Sequence, residues 1–162
     1  MRTVIGVMGG SSADDAALED ARRVGELIAE AGWVLLNGGR DAGVMAASAR
    51  GAAEAEGLVI GVLPGDDWQG VAPHVDVPVL TGMGDARNAI NVLSSRVVVV
   101  LPGDAGTISE VALALTSGRP VVTLGFTLGG PFATHYASGR ITDAATPEEA
   151  IAAVRRLLAD RV

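Results

Sequence analysis

The stretch Arg96-Val-Val-Val-Val-Leu101-Pro-Gly-Asp-Ala-Gly106-Thr-Ile-Ser-Glu110 decides the fold. Its run of β-branched residues predicts a strand buried on both faces, because a half-buried strand would alternate apolar and polar residues. The glycines after Pro102 predict a turn, and Thr107-x-x-Glu110 has the sequence of a capping box that starts a helix. In such a strand–turn–helix unit, the helix start presents N–H groups and positive charge at the strand's carboxyl end. The stretch therefore predicts a site for an anionic ligand.

Short apolar runs alternate with helical patterns along the rest of the chain. Strands are expected at residues 4–8, 33–36, 58–63, 79–80, 97–101 and 121–124, with irregular chain at 64–78 and a glycine-rich loop at 125–139. Ser12 with Asp15 can form a capping box for the first helix, Gly32 can end that helix, and Thr146 starts the last one. The alternation predicts an α/β fold with a doubly wound, mostly parallel Rossmann-like sheet, helices on both faces, and one domain over 1–162.

The composition excludes several kinds of chemistry. The chain has no Cys, so it has no disulfide, thiol nucleophile or thiolate metal ligand. It also has no Lys, and all of its 12 basic residues are Arg, which excludes a Schiff base to pyridoxal phosphate. His74 and His135 lack metal-ligand spacing and are interpreted as surface residues, so no metal site is expected.

The charge and hydropathy pattern indicates the class of partner. A formal charge of -7 disfavours nucleic acid and anionic membranes, and no apolar run reaches the roughly 20 residues of a membrane span. A cytoplasmic protein with a small phosphate-bearing ligand is therefore expected. The helix after Thr107 is apolar on nearly every side, which predicts a homodimer or homotetramer that covers its outer face.

Three glycine-bearing turns and one arginine are the candidate site. Turns at Gly9-Gly10, at Gly38-Gly39 with Gly43, and at Gly103 with Gly106 each follow a predicted strand. Each alone is weak, because tight turns need glycine whatever their function, but together they predict phosphate binding. Arg87, with Asn88 and Asn91, is either a solvated helix surface or a guanidinium and amides that meet a phosphate. Glu110 is either a capping residue of its own helix or a catalytic carboxylate.

Together the motifs Gly38-Gly-Arg-Asp-Ala-Gly43-Val-Met45, Ala86-Arg87-Asn88 and Pro102-Gly-Asp-Ala-Gly-Thr-Ile-Ser-Glu110 resemble those of the LOG-like Rossmann family, often mislabelled lysine decarboxylases. The resemblance covers roughly residues 3 to 125. Without lysine, a pyridoxal-dependent decarboxylase is excluded. The candidate ligand-binding residues are Gly9, Gly10, Ser11, Gly38, Gly39, Gly43, Met45, Arg87, Asn88, Asn91, Pro102, Gly103, Asp104, Gly106, Thr107 and Glu110.

The resemblance implies two alternative functions. The Ala86-Arg87-Asn88 triplet and the helix of Glu110 look more like the short branch that includes molybdenum-cofactor carrier proteins, which implies a binding protein for a nucleotide or molybdenum cofactor. The cytokinin-activating branch implies a phosphoribohydrolase that cleaves the N-glycosidic bond of a nucleoside monophosphate, with Arg87 and Glu110 catalytic. Asp104 replaces a glycine of the family's turn, and its carboxylate should repel phosphate unless it points away, is protonated or holds a cation.

Overall fold

A computed structural model describes residues 1–160 of the chain. Within that range it contains seven strands and six α-helices. In chain order they are β1 (Val4–Met8), α1 (Asp15–Glu30), β2 (Val34–Asn37), α2 (Gly43–Glu54), β3 (Val59–Leu63), β4 (Val77–Leu80), α3 (Asn88–Ser94), β5 (Val97–Val100), α4 (Ala105–Thr116), β6 (Val121–Leu124), α5 (Ala133–Ala137), β7 (Ile141–Ala144) and α6 (Pro147–Ala159). The expected domain runs to 162, and its last two positions lie outside the described residues.

All strands belong to one parallel sheet in the order β4-β3-β2-β1-β5-β6-β7. The chain winds outward from β1 to one edge, returns, and winds outward again from β5 to the other edge. Neighbouring crossovers therefore diverge between β1 and β5, which leaves a crevice at the carboxyl ends of these two strands. This arrangement confirms the doubly wound Rossmann-like fold.

Successive residues of the central strands face opposite layers. Val97 and Val99 of β5 pack with α1, α2 and α6, whereas Val98 and Val100 pack with α3 and α4. All four side chains are fully buried, which is why the strand shows an unbroken apolar run.

Helices α1 and α2 cross at very short range. A Cβ on Gly25 would lie 2.0 Å from the Ser48 carbonyl oxygen, and one on Gly51 would lie 1.8 Å from that of Arg22. Ion pairs add to this contact, with Arg22 bonded to Glu54 of α2 at 3.0 Å. In the same layer Arg23 is bonded to Glu148 of α6 at 2.9 Å.

Two predicted helix starts are wrong, and in both an aspartate just upstream is the cap. Asp14, not Ser12, caps α1, since its carboxylate accepts from the Ala17 N–H at 2.8 Å. Asp104, not Thr107, caps α4 and accepts from the Gly106 N–H at 3.0 Å. Helix α4 therefore begins at Ala105, so the explanation of Glu110 as a capping residue fails.

Two other expectations need correction near the sheet edges. The region expected to be irregular up to Pro78 contains the start of β4, an edge strand where the missing N–H of proline is tolerated. The expected loop at 125–139 contains a 3₁₀ turn and α5, and β7 follows it. Asp143 of β7 holds this segment, because it accepts hydrogen bonds from Thr123, Thr127 and Tyr136.

Candidate functional site

The turns after β1, β2 and β5 pack directly on one another. Gly10 joins them, since its N–H donates to the Pro102 carbonyl at 3.0 Å and its carbonyl accepts from the Val44 N–H at 3.0 Å. A Cβ on Gly10 would lie 3.2 Å from the Gly103 Cα, and one on Gly43 would lie 2.2 Å from the Gly10 carbonyl oxygen. Several of the predicted glycines are thus required by turn-to-turn packing, independently of any ligand.

A cleft of about 210 Å³ opens beside these turns at the crevice between β1 and β5. It is lined by predicted site residues from four segments, namely Gly9, Ser11, Gly38, Met45, Arg87, Asn88, Asp104, Gly106, Thr107 and Glu110. A second depression of about 540 Å³ adjoins it along the start of α1 and includes Gly10, Pro102 and Gly103. Ser11 and Asp104 line both, so the two spaces adjoin at these two residues.

Arg87 is half-buried at the start of α3, with its guanidinium pressed against Gly38. A Cβ on Gly38 would lie 2.4 Å from Arg87 Nη1, so only glycine leaves room for the guanidinium. The Nε atom is buried without a hydrogen-bond partner, and among residues 1–160 no carboxylate forms an ion pair with Arg87. Burial lowers the pKa of Arg87, and the charge of Glu110 opposes this shift. The guanidinium stays cationic at neutral pH, and among residues 1–160 no carboxylate lies within ion-pair distance of it.

Glu110 is a buried carboxyl group at the wall of the same cleft, only 6% exposed. Its Oε1 accepts from Asn91 Nδ2 at 3.0 Å, and Asn91 itself is fully buried beneath the cleft. Burial raises the pKa of Glu110, while the hydrogen bond from Asn91 and the charge of Arg87 act in the opposite direction. An acid/base role needs a carboxyl group of this kind, with a pKa shifted toward neutrality.

Helix α4 presents its N-terminus to the cleft, but Asp104 already uses part of it. The carboxylate of Asp104 takes the Gly106 N–H and so satisfies one of the free donors at the helix start. Gly103 is held against the buried Thr107, where a Cβ would lie 2.1 Å from Thr107 Oγ1. Asp104 is therefore the N-cap of α4, and its charge also raises the pKa of Glu110.

Not every predicted residue lines this space. Gly39 and Gly43 shape the turn after β2 with φ angles of 72° and 48°, and Asn91 supports Glu110 from behind. The cleft also contains Arg40 and Asp85, which sequence reasoning missed. Arg40 stands within the glycine-rich turn that was singled out, so its position in that motif was the available signal.

Other kinds of site find no support in the part of the chain that the structure describes. Across residues 1–160 no group of His, Cys, Asp or Glu side chains has the arrangement of a metal site. Over the same range no helix combines the length and hydropathy required to cross a bilayer.

Chemically, the cleft combines an unpaired guanidinium, a buried carboxyl group and the start of a helix at a topological switch point. These features define a Rossmann-like protein with a candidate small-ligand cleft at the carboxyl ends of its strands. Residues 2–151 match the model of the SLOG cluster4 family, and the chain belongs to that family. The resemblance to LOG-like proteins is thereby confirmed.

Solved structures share the fold over its whole length. The molybdenum cofactor binding protein from Rippkaea orientalis is 42% identical, with a TM-score of 0.91 over 98% of both chains. The molybdenum cofactor carrier protein from Chlamydomonas reinhardtii is 44% identical, with a TM-score of 0.89 over 98% of this chain and 99% of that one.

A more distant relative is a cytokinin riboside 5'-monophosphate phosphoribohydrolase from Mycobacterium tuberculosis. It is 36% identical over 62% of this chain and 55% of its own length.

Proposed function

We propose that this protein binds a phosphate-bearing ligand of the molybdopterin type in the cleft between β1 and β5. The observation that carries the proposal is the Arg87 guanidinium, which is half-buried in the cleft, fitted against Gly38, and without an ion-pair partner among residues 1–160. A charge kept partly out of water without a partner is unfavourable in the free protein, and an anionic ligand would compensate it. The full-length similarity to the two molybdenum-cofactor proteins supports the choice of ligand.

The two adjoining spaces together have room for a ligand larger than phosphate. In the proposed complex, the anionic group contacts Arg87 and the free N–H groups at the start of α4. The remainder of the ligand then extends past Ser11 into the depression beside α1, because Ser11 and Asp104 line both spaces.

The test is the ligand retained by the purified protein. Wild-type protein and Arg87→Ala are produced in a host that makes molybdenum cofactor, and the extracted ligand is identified and quantified by mass spectrometry. We expect a pterin phosphate in the wild type and a clearly lower occupancy in Arg87→Ala, because loss of a charged hydrogen bond weakens affinity by about tenfold or more. Arg96→Ala is the matched control, since this exposed arginine precedes β5 at the opposite end of the sheet. Equal occupancy in all three proteins would contradict the proposal.

A phosphoribohydrolase is the second candidate, and the observation that favours it is Glu110. Its carboxyl group is buried, shares the cleft with Arg87 and has a raised pKa. In this mechanism Glu110 acts as an acid/base or stabilises an oxocarbenium-like centre, and Arg87 orients the phosphate. Incubation with adenosine monophosphate would then release adenine and ribose 5-phosphate. Release that is lost in both Arg87→Ala and Glu110→Gln would establish the hydrolase and displace the binding protein.

We further propose that the chain's macromolecular partner is a second copy of itself, bound through α3 and α4. Leu93 is 54% exposed and Ile108 37% exposed, and Glu110, facing the cleft, is the one charged residue in the two helices. A two-fold interface apposes identical patches, so a charge-free surface avoids like-charge repulsion in a chain of net charge -7. Light scattering should show a dimer or a tetramer that Leu93→Asp dissociates and Trp68→Asp does not. A monomeric wild type would overturn this assignment.

A further inference from the structure

Arg40 is held in a defined position although it lies in a turn. Its backbone forms an antiparallel bridge with Val71. On either side of it, the Asp41 N–H donates to the Gly70 carbonyl at 2.8 Å and the Ala72 N–H donates to the Gly39 carbonyl at 2.9 Å. The segment between β3 and β4, which replaces the usual crossover helix, thus fixes the base of this side chain. A turn whose backbone is fixed in this way loses less backbone entropy when it binds a ligand.

Arg40 is exposed and lines the same cleft as Arg87. Among residues 1–160 neither guanidinium has a carboxylate within ion-pair distance, whereas Arg22, Arg23 and Arg50 on the α1–α2 side all do. The two charges are close enough for Arg40 to add to the lowering of the Arg87 pKa. One cleft therefore holds two cations that repel one another and lack a protein counter-ion in contact.

The same cleft contains three acidic side chains, and these restrict where an anion can sit. Asp104 is committed to the Gly106 N–H, and Glu110 is hydrogen-bonded to Asn91 and shifted toward its neutral form by burial. Asp85 is exposed and precedes Arg87 in a 3₁₀ turn at Gly84–Arg87. Two guanidinium groups carried by separate turns can each hold one oxyanion group, so a ligand with two such groups compensates both charges.

We propose that Arg40 is a second anion-binding residue, and that the cleft selects ligands with two anionic groups over ligands with one. The inference rests on the proposed function, because it assigns a ligand class to the same cleft. Arg87 holds one anionic group against Gly38, and Arg40 holds the other from the turn after β2. The ligand class is a phosphate-bearing small molecule with a second anionic group, and inorganic pyrophosphate is the simplest probe of that charge pattern.

Calorimetric titration with inorganic pyrophosphate and with orthophosphate tests the assignment. We expect wild-type protein to bind pyrophosphate more tightly than orthophosphate. Arg40→Ala should weaken pyrophosphate binding by about 10-fold or more, the loss of a charged hydrogen bond, and orthophosphate binding by less than about threefold. Arg87→Ala should weaken both. Arg40→Lys keeps the charge without the planar fork and should recover part of the loss.

Arg50→Ala is the control, since Arg50 is an exposed arginine on α2 that is already paired with Glu54 at 2.8 Å. Unchanged pyrophosphate affinity in Arg40→Ala, or equal loss for both anions, would overturn the role of Arg40 while leaving Arg87 and the proposed function in place. Unchanged affinity in Arg87→Ala as well would contradict both. A wild type that binds pyrophosphate no better than orthophosphate would also overturn the proposed selectivity.

Discussion

Gly38→Ala should abolish most ligand binding by displacing the Arg87 guanidinium. The added Cβ would lie 2.4 Å from Arg87 Nη1 and 2.6 Å from Met45 Sδ, where ordinary contacts begin at 3.4 Å. The guanidinium must therefore retreat by about 1 Å, the difference between 3.4 and 2.4 Å. Hydrogen bonds from nitrogen to oxygen span only about 2.7–3.2 Å, so a displacement of that size breaks a charged one. The expected loss is about 1.5–3 kcal/mol, or roughly 10- to 150-fold in Kd.

The protein should still fold, with a modest loss of stability. The two groups that must move, the guanidinium and the methionine sulfur, are the ends of flexible side chains, and shifting each of them off its preferred rotamer costs about 0.5–1.5 kcal/mol. Pyrophosphate titration and thermal unfolding of the same samples separate these two effects. Gly129→Ala is the matched control, because a Cβ at Gly129 meets nothing within 4 Å.

A double-mutant cycle tests whether the effect passes through Arg87. If Gly38→Ala acts by displacing the guanidinium, combining it with Arg87→Ala should weaken binding no more than Arg87→Ala alone. Additive losses, or normal affinity in a folded Gly38→Ala protein, would refute the packing argument.

Three further outcomes follow from the site. Glu110→Gln should raise the free energy of unfolding at pH 7, because burial lifts the folded pKa of Glu110 above its unfolded value. The protonated side chain of Glu110 stabilises the wild type fully at low pH, and this stabilisation is lost as the pH rises and the buried group ionises. Chemical denaturation should therefore show the gain from Gln shrinking toward pH 4. Gly43→Ala should lower stability by about 1–3 kcal/mol in the same assay, since its φ of 48° and the Gly10 carbonyl at 2.2 Å both oppose a side chain. Asp104→Asn keeps a capping side chain but removes its charge, and it should tighten pyrophosphate binding more at low salt than at high salt, which titration at two ionic strengths would show.

The sheet was predictable where strands are uniformly apolar. The four valines of β5 are buried on both faces, so their sequence carries a strong signal. Strand β7 is equally short but includes Asp143, whose carboxylate accepts hydrogen bonds from hydroxyl groups of neighbouring segments. These hydrogen bonds form only when distant segments meet in the folded protein, so the local sequence pattern does not predict them.

The site was predictable as a set of motifs but not as a set of contacts. Arg87 and Glu110 were selected from the sequence, and the structure places both at one cleft. The bond from Asn91 to Glu110 crosses between two helices, and the position of Arg40 depends on a backbone bridge to Val71. Pairings of this kind depend on how distant segments meet, which residue spacing does not determine. The start of α4 was misplaced because Asp104 and Thr107 both suit a cap, and packing of Thr107 against Gly103 selects the former.

The close crossing at Gly25 and Gly51 makes the two sides of the sheet mechanically unequal. Helices α1 and α2 touch backbone to backbone and share ion pairs, so one cannot slide without the other. On the opposite side, the short helix α3 is joined to α4 by side-chain bonds from Asn88 and Asn91. Arg87 therefore lies on the side of the cleft formed by the less tightly packed α3, and Gly38 lies on the side next to α2, which is packed tightly against α1. Amide hydrogen exchange should be slower in α1 and α2 than in α3, and a ligand that bridges both walls would slow exchange most in α3.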